Sequence, residues 1–295
     1  MTLASAIIDP FVDYGFMRRA LVASISLGLG SGPVGIFLIL RRMSLIGDAM
    51  SHAVLPGAAI GFLVAGGLSL TAMALGGIVA GLSVALLAGF VSRTSVLRED
   101  ATFASFYLMS LAFGVLVVSL RGSNIDLLHV LFGTILAIDE QALIVMGLIA
   151  TCTLAVFAII YRPFIAECFD PSFLRTVRGR GSFYHYTFLL LVVLNLVAGF
   201  QALGTLMAVG MMMLPAAVAM LWTRTIPGML ATASTVAVLS GFLGLLISFH
   251  TGVASGPTIV LTAGGFYIAS LLLGPAGPLA YWIERRRATP SERTS

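Results

Sequence analysis

The chain has 295 residues, of which 59% are hydrophobic and 9% are charged, and its formal net charge is +4. Soluble domains carry about 25% charged residues, so this composition predicts an integral membrane protein that crosses the bilayer several times. All basic residues are arginines. Because there is no lysine, the chain has neither a P-loop lysine nor a Schiff-base lysine. Any ATP that the protein uses must therefore be hydrolysed by another subunit. Because the chain also lacks a nucleophile–base or metalloprotease motif, we expect that it is not an enzyme.

Apolar stretches long enough to cross a bilayer follow one another along the chain and predict an all-α fold of about nine transmembrane helices. We expect a transmembrane domain over residues 19–284, an N-terminal segment 1–18 that suits an interfacial elbow, and a tail over 285–295. The predicted spans lie at residues 19–40, 43–65, 68–91, 101–120, 140–161, 183–200, 203–222, 228–249 and 257–282.

Arginine placement predicts the orientation of these spans, because cytoplasmic loops of membrane proteins are enriched in basic residues. With nine spans and a cytoplasmic C-terminal Arg285-Arg286-Arg287, most of the arginines fall inside and the N-terminus lies outside. The long polar segment 121–139 is then external, and the segment 161–182 is cytoplasmic. A basic inner face indicates topology or anionic lipid rather than nucleic acid.

Two spans contain small residues and proline. The first includes Gly28 to Gly35 with Pro33 between them, and the second includes Leu55-Pro56-Gly57. Small residues let helix backbones approach closely, whereas proline removes a backbone donor. The pattern predicts close helix packing or helix breaks at these positions.

Asp48 and His52 are four residues apart in the second span. This spacing places both side chains on one helical face. Counted from Arg42, a rise of about 1.5 Å per residue puts His52 near the middle of a hydrocarbon core about 30 Å thick. Ionisable groups at this depth are costly, so we predict a site for a divalent cation rather than a purely structural Asp–His hydrogen bond. Two side chains leave the coordination shell incomplete, and other donors must complete it.

Other polar residues suggest roles at the two ends of the bundle. His250, Asp126 and His129 fall in the predicted outer loops, where they could meet an entering cation. In the cytoplasmic segment 161–182, Glu167, Phe169 and Asp170 lie in a mixed apolar and acidic stretch that suits docking in a groove of a partner protein.

The chain resembles the membrane permease family of zinc, manganese and iron ABC importers in several stretches that together span residues 18–280. The most specific stretch runs from Leu40-Arg41-Arg42-Met43 to Pro56-Gly57 and contains Asp48 and His52. The others are Arg98-Glu99-Asp100, Leu131-Phe132-Gly133, Phe169-Asp170-Pro171, Leu214-Pro215-Ala216-Ala217 and Ser255-Gly256-Pro257-Thr258-Ile259-Val260.

The resemblance implies a multi-pass protein of the bacterial cytoplasmic membrane that works with a second permease copy, two ATP-binding cassette subunits and an extracytoplasmic metal-binding protein. It implies that Asp48 and His52 form the transit site, and that the Phe169-Asp170-Pro171 segment contacts the ATPase. Family permeases sometimes carry a charged residue at the outer gate, where this chain offers His250.

We therefore predict a permease that binds no permanent cofactor and imports a divalent metal. Zinc is preferred because imidazole suits it, while the carboxylate keeps manganese and iron open. The rival hypothesis from another class is a secondary carrier without an ATPase, in which Asp48 and His52 relay protons.

Overall fold

A computed structural model describes residues 3–67, 69–121, 138–169 and 181–277. These residues form ten α-helices, and no strand occurs among them. In chain order, the helices are α1 (Leu3–Asp13), α2 (Gly15–Leu40), α3 (Ser44–Ala65), α4 (Leu70–Thr94), α5 (Glu99–Arg121), α6 (Glu140–Phe169), α7 (Gly181–Leu203), α8 (Thr205–Trp222), α9 (Ile226–Thr251) and α10 (Ser255–Leu273).

Helices α2 to α10 are each long and apolar enough to cross a membrane, which confirms the predicted all-α fold with nine spans in the described part of the chain. Two of the predicted spans end far from the observed helix ends. The fifth span continues past residue 161 to Phe169. Phe164 and Glu167 in this extension are buried, so their packing against the rest of the bundle stabilises the additional turns. The last helix ends at Leu273 rather than near residue 282, just before Gly274 and Pro275.

The predicted helix breaks at proline do not occur, since α2 continues through Pro33 and α3 continues through Pro56. Close packing is the correct interpretation of the small residues. A Cβ atom on Gly35 would collide with the carbonyl oxygen of Met212 in α8. Glycine therefore lets the backbones of α2 and α8 meet directly.

Helices α2 and α7 lie at the centre of the bundle. Helix α2 packs against α6, α7, α8 and α9, whereas α10 packs only against α8 and α9 among the major helix contacts. On the other side, α3 and α4 form an antiparallel pair, and α5 covers this pair at the edge of the bundle. The central position of α2 explains why its middle, from Gly30 to Leu38, is continuously buried.

The N-terminal segment forms a separate short helix, α1, that packs against α2 and α9. The ring of Phe11 stacks on Phe242 of α9 at a centroid distance of 5.1 Å. Helix α1 ends at Asp13, and the first span begins at Gly15, earlier than the predicted residue 19. The N-terminal segment 1–18, for which an interfacial elbow is predicted, therefore contains α1, Tyr14 and the first residues of α2.

Candidate metal site

The turn between α2 and α3 fixes where the Asp48 helix starts. The amide of Met43 donates to the carbonyl of Leu38 (2.8 Å), and the amide of Arg42 donates to the carbonyl of Ile39 (2.9 Å). These two bonds form a Schellman motif, whose left-handed residue is commonly glycine. Here Arg42 takes that place with φ of 58°. Helix α3 begins two residues later, so Asp48 lies a little more than one turn from its start.

Asp48 and His52 lie on the same face of α3, as their spacing predicts. The imidazole Nε2 of His52 is 3.8 Å from the carboxylate Oδ1 of Asp48. This separation is too long for a hydrogen bond between the two side chains. It is shorter than the sum of two typical metal–ligand bonds, about 2.0–2.1 Å to nitrogen and about 2.0–2.2 Å to oxygen for zinc. One divalent ion can therefore contact both atoms without a movement of the helix.

Both side chains are open on the outer face of α3, with 67% of the Asp48 side chain and 40% of the His52 side chain exposed. The ring of Tyr107 from α5 is roughly parallel to the imidazole of His52, with their centroids 6.2 Å apart. Among the described residues, no group of three or more His, Cys, Asp or Glu side chains could hold a metal ion. Asp48 and His52 therefore form an open pair of potential donors, a candidate half-site, to which the described residues add no further His, Cys, Asp or Glu side chain.

The residues predicted to contact an ATPase have contrasting environments. Phe169 is 66% exposed at the end of α6, which suits a contact with a partner. Glu167 is instead fully buried, and its Oε1 accepts a hydrogen bond of 2.7 Å from Nη2 of Arg93 in α4. Asp170 lies outside the described residues. Glu167 therefore faces the protein interior, where it joins α6 to α4.

A second polar contact lies near this ion pair. Nη2 of Arg41, at the end of α2, is 2.7 Å from Nδ1 of His185 in α7. The Arg41 guanidinium also lies over the ring of Phe188, 5.4 Å from its centroid. These contacts bring the ends of α2, α4, α6 and α7 together at one end of the bundle, as alternating spans require.

Of the three residues predicted to meet an entering cation, His250 is the one within the described residues, and it is not near Asp48. His250 is exposed at the end of α9, and its Nδ1 is 2.9 Å from the carbonyl oxygen of Leu246 in the same helix. Because α3 and α9 run in the same direction among alternating spans, His250 lies at the opposite end of the bundle from the start of α3. Asp126 and His129 lie outside the described residues.

Sequence reasoning missed Tyr107, Arg93 and Arg41 as neighbours of the functional candidates. Arg93 contacts Glu167 across 74 residues of sequence, and Arg41 contacts His185 across 144 residues. Periodicity within one span reports its buried face, but it does not report which other span packs there. The one available signal was that a buried carboxylate requires a cationic partner.

Comparison with known proteins gives a consistent family assignment. A model of the family "ABC 3 transport family" matches residues 13–274. The chain is 35% identical to the manganese import system permease protein ScaB of Streptococcus parasanguinis, over 91% of this chain and 94% of ScaB. It is also 35% identical to the chelated iron transport system membrane protein YfeD of Yersinia pestis, over 94% of this chain and 91% of YfeD.

A solved structure supports the same assignment at the level of the fold. PsaBC from Streptococcus pneumoniae, in complex with a Fab, superposes with a TM-score of 0.80 at 33% identity, covering 93% of this chain and 97% of that chain. The family's permeases transport substrate while a separate ATPase subunit hydrolyses ATP and a substrate-binding protein delivers the cargo. The chain belongs to the ABC 3 transport family and is a multi-pass permease subunit of a metal-importing ABC transporter in the bacterial cytoplasmic membrane.

Proposed function

We propose that this permease imports Mn²⁺, with Asp48 and His52 as the transit site. The observation that carries the choice of ion is the similarity to proteins named as manganese permeases, at 34–35% identity over more than nine-tenths of the chain. The predicted preference for zinc has no such support. A carboxylate oxygen is a ligand that suits Mn²⁺, and imidazole nitrogen tolerates several divalent metals.

A second copy of the chain would complete the open half-site. Asp48 and His52 are exposed on the surface of α3, and each copy offers one oxygen and one nitrogen donor at a spacing that one ion can bridge. Two copies related by a two-fold axis would present two carboxylates and two imidazoles to a single ion. Such a site balances the charge of a divalent cation while the two faces of the dimer remain free to separate and release it.

The ATPase would act from the end of the bundle where α6 ends and α7 begins. Exposed Phe169 supplies an apolar anchor there, and Asp170 would supply a charge beside it. An extracytoplasmic binding protein would deliver the ion at the other end, near His250, Asp126 and His129. Closure of two ATPase subunits would then change the side of the membrane from which an ion has access to Asp48 and His52.

Iron is the second candidate, because the relative YfeD is named for chelated iron transport and is as similar to this chain as ScaB. Fe²⁺ and Mn²⁺ both accept mixed nitrogen and oxygen donors. The choice between them depends on measured uptake.

Uptake competition tests the ion. Permease, ATPase and binding protein are reconstituted in proteoliposomes, and uptake of labelled Mn²⁺, Fe²⁺ and Zn²⁺ is measured separately and in competition. We expect ATP-dependent Mn²⁺ uptake that excess unlabelled Mn²⁺ abolishes, and slower uptake of Zn²⁺ under the same conditions. Transport of Zn²⁺ in preference to Mn²⁺ would refute the ion assignment. Uptake by the permease alone, driven by a proton gradient, would favour the secondary carrier.

Single substitutions test the site. Asp48→Asn and His52→Ala should each abolish uptake, because each removes a ligand or its charge, while the variants still assemble with the ATPase. Asp13→Asn is the matched control, since it neutralises an exposed carboxylate at the end of α1, away from α3. Normal uptake by both site variants would show that the ion passes elsewhere.

A further inference from the structure

We propose that Arg93 is a positioning residue that transmits movement of the ATPase-facing ends of α6 and α7 to the helices of the metal site, while Arg41 holds the turn before α3 against α7. This inference rests on the proposed function, because it requires that the ATPase acts at this end and that Asp48 and His52 bind the ion. We call the five side chains that carry the inference the inner polar cluster: Arg41, Arg93, Glu167, Ser182 and His185.

Arg93 joins both sides of the connection between α6 and α7 to the end of α4. Its Nη2 donates to Oε1 of Glu167, which lies two residues before the end of α6. Its Nη1 donates to Oγ of Ser182, the second residue of α7, at 3.2 Å. The Arg93 guanidinium therefore links α4 to two other helices, so a displacement of the end of α6 and the start of α7 also displaces the end of α4. Arginine suits this role because its planar fork offers several donors in fixed directions.

Arg41 makes a corresponding contact at the start of the metal-site helix. It precedes the left-handed turn residue Arg42, and α3 begins at Ser44. Its contact with Nδ1 of His185 and its position over Phe188 hold this turn against α7. The inner polar cluster thus fastens the α3–α4 pair to α6 and α7 at two points, one at the start of α3 and one at the end of α4.

Helices α3 and α4 pack closely enough to move as one body. A Cβ atom on Gly57 or on Gly76 would collide with the carbonyl oxygen of the other glycine. A Cβ atom on Gly61 would likewise collide with the backbone of Ala72. Packed interfaces of this kind shift as units rather than deform continuously. A displacement of the end of α4 at Arg93 therefore also moves α3, which carries Asp48 and His52.

Stability alone gives a poor account of the ion pair. The Glu167 side chain is fully buried and the Arg93 side chain is 11% exposed, yet Oε2 of Glu167 and Nε of Arg93 have no hydrogen-bond partner among the described residues. A buried ion pair with unsatisfied atoms is often no more stabilising than a well-packed apolar pair. What the ion pair adds is a directional link between two helices, which an apolar contact lacks.

The test measures ATP hydrolysed per ion transported in proteoliposomes that contain permease, ATPase and binding protein. The variants are Arg93→Met, Glu167→Met and the double variant that carries both. The double variant leaves no unpaired buried charge, so we expect it to assemble like the parent. The proposal requires that ATP per ion rises by about tenfold in the double variant, within the usual range of coupling between sites. It also requires that the double variant is no worse than either single variant, because all three remove the same interaction.

Two further variants keep the test decisive. Arg93→Lys retains the charge but lacks the fork that reaches both Glu167 and Ser182, so we expect a smaller rise in ATP per ion. If the double variant does not assemble, Arg93→Lys alone shows whether Arg93 couples ATP hydrolysis to ion transport. Arg224→Met is the matched control, since Arg224 is exposed between α8 and α9 and lies outside the inner polar cluster. Parental ATP per ion in every assembled Arg93 and Glu167 variant would overturn the proposal.

Failure of this inference is distinguishable from failure of the proposed function. If Asp48 and His52 do not bind the ion, their variants transport normally whatever the Arg93 variants do. If the ATPase acts elsewhere, the exposed variant Phe169→Cys fails to cross-link to the ATPase in a background without Cys152 and Cys168. If only the inference fails, site variants are inactive and the cross-link forms, while ATP per ion stays at the parental value in the Arg93 variants.

Discussion

Substitution of Gly28 by alanine should destabilise the bundle, although the same change in an unobstructed helix is stabilising. A Cβ atom on Gly28 would lie 2.7 Å from Cβ of Ala237 in α9, far closer than an ordinary contact between carbon atoms. Its next neighbours, Cε of Met211 and the carbonyl carbon of Ala237, would lie at ordinary distances of 3.5 and 3.6 Å. The collision therefore involves one methyl group, and removal of that methyl group should relieve it.

The expected size follows from two opposing effects. Overpacking of a close contact costs about 1–3 kcal/mol. Alanine in place of a helical glycine returns up to about 1 kcal/mol. We therefore expect Gly28→Ala to lower the free energy of unfolding by about 1 kcal/mol and the melting temperature by roughly 2–4 °C. The exchange Gly28→Ala with Ala237→Gly should restore the parental value, since it moves the methyl group to the other helix.

The assay is thermal unfolding of the purified permease in detergent, followed by loss of the monodisperse peak in size-exclusion chromatography. Gly147→Ala in α6 is the matched control, because no atom lies within 4 Å of its new Cβ and the change should be neutral or slightly stabilising. The packing of α2 on α9 would be misassigned if Gly28→Ala were as stable as Gly147→Ala. The same conclusion would follow if Ala237→Gly failed to rescue it.

Two further predictions concern helix pairing and orientation. Thr153→Val should lower the melting temperature by an amount that corresponds to roughly 0.6 kcal/mol, because Nδ2 of buried Asn195 in α7 loses the Thr153 hydroxyl of α6 to which it donates at 2.8 Å. Thr151→Val should leave the melting temperature unchanged, since Thr151 is exposed and its hydroxyl is bonded within its own helix. Equal effects of the two variants would show that the Asn195–Thr153 hydrogen bond does not stabilise the pairing of α6 and α7. In a background without Cys152 and Cys168, a cysteine at Ser95 should react with a membrane-impermeant maleimide only from the inside, and one at Thr251 only from the outside. The reverse labelling pattern would show that the orientation inferred from the arginines is inverted.

The number and type of elements could be predicted from the sequence because each span carries its own signal. An apolar stretch of about 20 residues is readable without reference to the rest of the chain. The spacing of Asp48 and His52 was equally local, since four residues separate neighbours on any helix. Predictions failed where the outcome depended on contacts between spans. Pro33 and Pro56 were compatible with breaks, and only their packed surroundings show continuous helices.

At the candidate site, too, the sequence predicted features within one span but not contacts between spans. The sequence predicted Asp48 and His52 as metal ligands, and it predicted Glu167 on a surface facing the ATPase. In the structure this carboxylate is buried against Arg93, because α6 continues past residue 161 and turns that face of the helix towards α4. A periodic pattern within one helix contains no information on the distance to a residue 74 positions away.

The sequence by itself determined that this protein is an all-α membrane protein of several spans, with a carboxylate and an imidazole one turn apart in its second span. Length, hydropathy and helical periodicity suffice for that, because they act within single helices. Tertiary structure decided that both side chains are open on the surface of α3 and that charged side chains join the ends of α2, α4, α6 and α7. Those features arise from contacts between spans, which form only when the glycine-lined helix surfaces pack together.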